Sequence, residues 1–306
     1  MREGYIKSFD NAKIYRYAWD EVKKPKGVVL ILHDMSEHAK RYEDFASFLN
    51  NNGYIVYAND LRAHGKTALG IDNLGKYDGA NVVWDTIMDA VYFTRRLKDK
   101  YKLPVYVIGQ GYGSFIALAY MQKCKLYSKV VLSGSSFFKN SLYIKLGKHI
   151  ADFTLKNKGK DAPAYFLDKK SFGKFDKKVK NGSWLNSDNN VVSSYYEDPL
   201  CGFIASAKFY FDFLHIFDWL YSPAFMENID KDKPVYLIGG KEDLFSKNGK
   251  LVQKLFKFLA HNDIHSLKMN LYENARHEVL NEKNKTKIYK DILKFLDKDN
   301  LWVVVH

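Results

Sequence analysis

Cysteine, acidic residues and long apolar runs are what this sequence has little of. Two cysteines in 306 residues, Cys124 and Cys201, have no metal-like spacing. A disulfide framework or zinc site is therefore not expected, and both read as buried free thiols. No apolar run approaches the roughly 20 residues that span a bilayer. The opening MREGYIKSFDNAK also lacks the apolar stretch of a secretion signal. The expectation is a cytoplasmic protein, touching a membrane only at its periphery. Acidic residues number 35 against 48 basic ones, a net charge of +13. The imbalance concentrates between Lys139 and Lys180, where twelve lysines face four aspartates. That stretch reads either as a solvated basic surface or as one drawn to anionic lipid headgroups or an acidic substrate. No nucleic-acid recognition motif accompanies it, so a nucleic-acid partner is not expected. A content of 46% hydrophobic and 16% aromatic residues excludes a disordered chain.

What is present begins with two alternating segments, GYIKSF and KIYRYAW, which predict an antiparallel hairpin with one wet face. GVVLILH from Gly27 and YIVYAND from Tyr54 are continuous apolar runs, as expected of strands covered on both sides. A helix is predicted around 41–51, with Tyr42, Phe45, Phe48 and Leu49 on one face, and a longer one over 82–100. VYVIGQGYGS (105–114) then reads as strand, glycine-punctuated turn and helix, followed by the strand KVVLSGS. Strands alternating with helices imply a mostly parallel sheet. The pattern lapses over 137–221, where one helix, SAKFYFDFLHIFDWL, is recognisable. It resumes with PVYLIGG, a helix over 250–259, SLKMNLYE and a last helix over 287–296. The expected architecture is an α/β core of residues 1–136 and 222–306 with a helical cap, 137–221, inserted into it.

The 105–114 turn has the outline of a nucleophile elbow, Gly-x-Ser-x-Gly, in which a strained turn holds a serine at the sheet edge. Gly109 and Gly113 occupy the outer positions, but the central residue is Gly111. Acyl transfer by such a site needs a serine, a histidine base, a carboxylate to orient it and two backbone N–H donors for the oxyanion. Asp243, just past PVYLIGG, and His277, just past the last strand, stand at carboxyl ends of strands, where sheets of this kind place their sites.

The segments HDMSEHAKRY, NDLRAHG, the elbow, SWLNSDNNVVSSYYEDPLCGF, GGKEDLFS and YENARHEVLNE, in that order, resemble the capped α/β-hydrolases of the monoacylglycerol lipase, lysophospholipase and serine-aminopeptidase-like family. The resemblance implies an α/β-hydrolase fold. It also implies that Asp243 and His277 are the triad acid and base, and that the Met35 and Tyr112 N–H groups form the oxyanion hole. Glu242 is the alternative acid. Glu37 and Arg41 resemble the network that braces the oxyanion loop, and His33, His38 and His64 read as structural hydrogen-bonders. Three positions depart from the family pattern: Gly111 for the nucleophile, Gln110 for the preceding histidine, and Asp34 for the glycine after His33.

Among other nucleophiles, Ser36 is the least implausible. Ser114 reads as a cap or packing residue, Cys124 as core, and Ser133 and Ser135 as pocket lining. Phe203, Phe209, Phe211, Phe213, Trp219 and Tyr221 are expected either to pack the cap or to line an acyl tunnel. The implied ancestral activity is hydrolysis of a monoacyl lipid ester, without metal or cofactor. With glycine at 111 the expectation is an inactive or residually active hydrolase. The alternatives are a non-catalytic acyl-ligand binder and a deliberately inactivated serine hydrolase.

Overall fold

The computed structural model describes residues 1–298 apart from 170–174, 176–177 and 180–182. Part of the lysine-rich stretch and the tail LWVVVH lie outside the described residues. The chain opens with the predicted hairpin, β1 (Arg2–Lys7) and β2 (Lys13–Trp19), whose register pairs Tyr5 with Tyr15. Then follow β3 (Gly27–Leu32), α1 (Glu43–Asn51), β4 (Tyr54–Asn59), α2 (Val82–Tyr101), β5 (Val105–Gln110), α3 (Tyr112–Met121) and β6 (Lys129–Ser133). Between β6 and the next strand lie α4 (Leu142–Lys158), α5 (Tyr165–Asp168), α6 (Asn189–Glu197), α7 (Ala207–His215) and α8 (Pro223–Met226). The chain continues with β7 (Val235–Gly240), α9 (Lys250–His261), β8 (Leu267–Tyr272) and α10 (Lys285–Asp297).

One eight-stranded sheet results, in the order β1-β2-β4-β3-β5-β6-β7-β8. β1, β2 and β4 pair antiparallel and every other neighbouring pair is parallel. This is the α/β-hydrolase architecture. Every residue of β3 to β7 is buried, because helices cover both faces. Alternation along β3 divides the core: Val28 and Leu30 join α2 and α3, whereas Val29 and Ile31 join α1 and α10. α3, central on its face, is buried along its whole length.

The sequence pattern did not reveal α4. Its only buried residues are Gly147 and Ala151, while Leu142, Tyr143, Leu146 and Phe153 are exposed. An apolar stripe turned away from the core gives no periodicity that a core-facing pattern would match. No helix among the described residues is long and apolar enough to cross a membrane.

Candidate active site

β5 drives into a turn at Gly111, whose backbone is held at φ 49°, ψ −115°, a region hostile to side chains. Its N–H donates to the Ser133 carbonyl at 2.9 Å, tying the turn to β6. Two residues on, a Cβ at Gly113 would run into the backbone of Leu32, the last residue of β3, and of His33 after it, so only glycine lets α3 pack this closely. Ser114 donates from Oγ to the Gly111 carbonyl at 2.6 Å, the local packing role read from its position.

Above Gly111 sits a carboxylate. Asp34, in the loop after β3, accepts at Oδ1 from the N–H groups of Met35 (2.7 Å) and Tyr112 (2.6 Å). Its Oδ2 lies 3.1 Å from His277 Nε2. On the other side of that ring, Nδ1 is 3.2 Å from Asp243 Oδ2. The fold thus brings together Asp34, Met35, Gly111, Tyr112, Asp243 and His277 from four separate connections. A Cβ built on Gly111 would fall inside the Asp34 carboxyl group. Sequence reasoning placed Asp34 near these N–H donors but missed that its oxygen is their common acceptor. The signal was an aspartate, whose oxygens stand three bonds from Cα, at the loop position facing the turn.

The electrostatics follow from this sandwich. Burial alone would lower the His277 pKa. The charges and hydrogen bonds of Asp243 and Asp34 outweigh it and hold the imidazole protonated well above its ordinary range. Around it the loops are braced by buried polar contacts. Arg41 donates two parallel bonds to Glu278, at 2.7 and 2.8 Å, and pairs also with Glu37. Glu37 accepts from the Asp34 N–H at 2.7 Å and the Tyr42 hydroxyl at 2.5 Å. Burial raises the Glu37 pKa to about 7, with Arg41 opposing the shift and Glu278 adding to it. His33 bridges the Asp34 carbonyl (2.6 Å) and the Leu61 N–H (2.8 Å), a structural role, as expected. Gln110 donates to the His277 carbonyl at 2.9 Å.

The remaining candidates separate cleanly. Glu242 lies 3.9 Å from Arg276, and it is Asp243 that meets His277 at Nδ1. Ser36 donates to the Phe203 carbonyl at 2.8 Å, and Cys124 lies in the core. The Ser133 hydroxyl donates to Gln110 at 2.5 Å and Ser135 is fully buried, and neither is among the residues lining the cavity over the Asp34 carboxylate. His38, Asp198 and Cys201 place donor atoms within 4.8 Å of one another. Burial pushes the Cys201 thiol pKa up, however, and a metal needs the thiolate. The trio works as a His38–Asp198 bond (2.8 Å) linking the Asp34 loop to the segment after α6.

A cavity of about 170 Å³ opens over the carboxylate, lined by Asp34, Gly111, Tyr112, Trp184, Phe213 and His277 among others. Of the aromatics expected either to pack the cap or to line an acyl tunnel, Phe203 and Phe213 reach the cavity. Phe209 and Tyr221 are core, while Phe211 and Trp219 pack against the core half-buried.

Residues 23–284 match the family model described as serine aminopeptidase, S33. The chain belongs to that family. A monoglyceride lipase of Saccharomyces cerevisiae is 24% identical over 95% of this chain and 92% of its own. A phospholipase of Bacillus subtilis, YtpA, is 23% identical over 92% of this chain and 98% of its own. A monoglyceride lipase homolog of monkeypox virus reaches 29% identity, but the match spans 41% of this chain and less than half, 44%, of the viral protein. In three dimensions a thermostable carboxyl esterase of Bacillus coagulans superposes with a TM-score of 0.86 at 23% identity, over 97% of both chains. A soluble variant of the yeast lipase, in complex with a substrate analog, superposes with 0.74 at 23% identity, over 96% of this chain and 94% of its own.

Gly111→Ser is expected to lower the melting temperature. The positive φ costs a side chain about 1–3 kcal/mol, and the new Cβ also displaces the Asp34 carboxylate. The loss should shrink when Asp34→Gly is combined with it, a coupling that thermal denaturation of the double-mutant cycle measures.

Proposed function

We propose that this protein binds a monoacyl lipid or ester beneath a helical lid, residues 137–221, and does not hydrolyse it through an acyl-serine intermediate. In this reading Gly111 stands at the nucleophile position, Asp243 and His277 are the retained acid and base, and the Met35 and Tyr112 N–H groups are the oxyanion hole. One observation carries it: the Asp34 carboxylate already accepts both of those N–H groups and faces His277 Nε2. A substrate carbonyl therefore finds the hole filled by an anion, and the base engaged. Two matched changes, at 34 and 111, support a site remodelled as a unit over one inactivated at a single residue. His277 facing a carboxylate rather than open space favours binding over residual water activation. The chemistry calls for no metal or cofactor.

Trp184, whose ring centroid is 5.1 Å from that of His277, reports on the cavity. Titration with monoacylglycerol should give a saturable fluorescence change that Trp184→Phe abolishes, with ester turnover at background. Robust monoacylglycerol hydrolysis that a serine-directed fluorophosphonate blocks would contradict the reading.

The exposed apolar face of α4, together with Lys145, Lys156 and Lys158 on the same helix, supports peripheral contact with an anionic membrane. Sedimentation with anionic vesicles should show binding that weakens as salt rises. Binding indifferent to salt removes the electrostatic part of this contact.

A further inference from the structure

The filled hole is also an arrangement for different chemistry. Asp34 presents two unlike oxygens. Oδ1 is fixed by two N–H donors, the pattern that stabilises a developing oxyanion. Oδ2 lies beside His277 Nε2, and Asp34 itself lines the cavity. A carboxylate is an established covalent nucleophile in enzymes. Against a carboxylic ester it is useless: the adduct of a group whose parent acid has a pKa of about 4 expels that carboxylate, not the far more basic alkoxide. Against a saturated carbon in a strained ring the displacement is downhill, provided the departing oxygen receives a proton. His277, held protonated between two carboxylates, carries that proton at Nε2.

We propose that Asp34 is a nucleophile for lipids bearing an oxirane ring, which the site hydrolyses to vicinal diols. Asp34 Oδ2 attacks a ring carbon, the carbon–oxygen bond on the opposite side breaks, and the alkoxide takes the His277 Nε2 proton. The product is an ester of Asp34 with the opened chain. Neutral His277 then takes a proton from water as the hydroxide adds to Asp34 Cγ. The negative charge gathers on Oδ1, where the Met35 and Tyr112 N–H groups already point. Collapse breaks the Cγ–Oδ2 bond, and the second alkoxide takes the proton back from His277. The acid proton left on Asp34 returns to His277, restoring the starting state. Oxirane plus water gives diol, with no oxidant or reductant. Asp243 keeps the imidazole oriented in both halves. Gly111 has a part too, because any side chain there would take the space of the Asp34 carboxylate.

The inference rests on the lipid-binding reading only for the acyl chain, and one experiment separates the two. The intact protein is incubated with epoxidised methyl oleate in heavy-oxygen water, and the digested protein and the product are weighed by mass spectrometry. The diol should form, and the Asp34 peptide should gain one heavy oxygen, because each turnover surrenders Oδ2 to the product and refills it from water. His277→Gln removes both the proton donor of ring opening and the base of the second half, and should slow diol formation by about 10²-fold or more. No diol, or diol without label at Asp34, overturns the proposal whether or not the histidine variant folds. The Trp184 titration with monoacylglycerol runs beside it. Monoacylglycerol binding without labelling leaves the lipid reading standing and removes the nucleophile. Labelling without monoacylglycerol binding does the reverse.

Discussion

Gly111→Ser combined with Asp34→Gly should turn this chain into a monoacylglycerol hydrolase, while Gly111→Ser alone stays near background. The single substitution places its Cβ, and hence its hydroxyl, in the volume of the Asp34 carboxyl group. Even if the two groups make room for each other, the Tyr112 and Met35 N–H groups, the proposed oxyanion donors, remain occupied at 2.6 and 2.7 Å. An anion beside the reacting carbonyl opposes the charge that the transition state develops. Removing the carboxylate empties the hole and frees His277 Nε2, with Asp243 still on Nδ1. Losing one oxyanion donor costs other hydrolases about 10²–10³-fold, and losing the nucleophile costs far more. The double variant should therefore exceed either single variant by about 10³-fold or more in kcat/KM for monoacylglycerol. Further substitution of His277 should abolish the gain. A Gly111→Ser protein as active as the double variant would show that Asp34 does not block the site.

Arg41→Ala should be among the most destabilising single substitutions in the molecule, by about 3–5 kcal/mol, because it strands buried charge. The guanidinium holds Glu278 through two parallel bonds and also pairs with Glu37, and both carboxylates are almost wholly buried. Without it the two acids face each other with no countercharge. The pH dependence has a definite sign. Glu37 titrates near 7 in the folded protein, raised above its unfolded value of 4.5. A raised carboxylate binds its proton more tightly when folded, so acidification relieves the stranded charge. Removing Arg41 pushes Glu37 higher still, so the penalty measured by urea denaturation should be largest above pH 7 and should shrink as pH falls to about 7, where Glu37 takes up its proton in the wild-type protein as well. Because Glu37 also accepts the Asp34 N–H, the variant should loosen the Asp34 loop as well. An unchanged unfolding midpoint at pH 8 would mean that the network bears no load.

Strands and helices of the core were legible in the sequence because burial writes itself into composition. β3 to β7 are covered on both faces and are correspondingly continuous in Val, Ile, Leu and Tyr. α9 runs over 250–261 against a predicted 250–259, and α10 over 285–297 against 287–296. α4 escaped because its apolar residues serve the surface. The aromatic residues between 203 and 221 differ in whether they reach the cavity, in a way that composition could not express. Tyr221 and Phe213 are alike in the sequence, but only the second reaches the cavity.

By itself the sequence determined the sheet, the glycine turn and the identity of each residue that meets there: Asp34, Gly111, Asp243 and His277. Local periodicity, turn chemistry and motif order are properties of neighbouring residues, and they survive without coordinates. Only the tertiary structure decided what Asp34 does. Its role depends on one side-chain oxygen reaching across 78 residues of sequence to the Tyr112 N–H, and the other across 243 to His277, at hydrogen-bonding distance. Whether a carboxylate in that loop repels a substrate, fills the space above Gly111 or attacks on its own account is fixed by ångström-scale placement among donors and a base. No one-dimensional pattern carries that information.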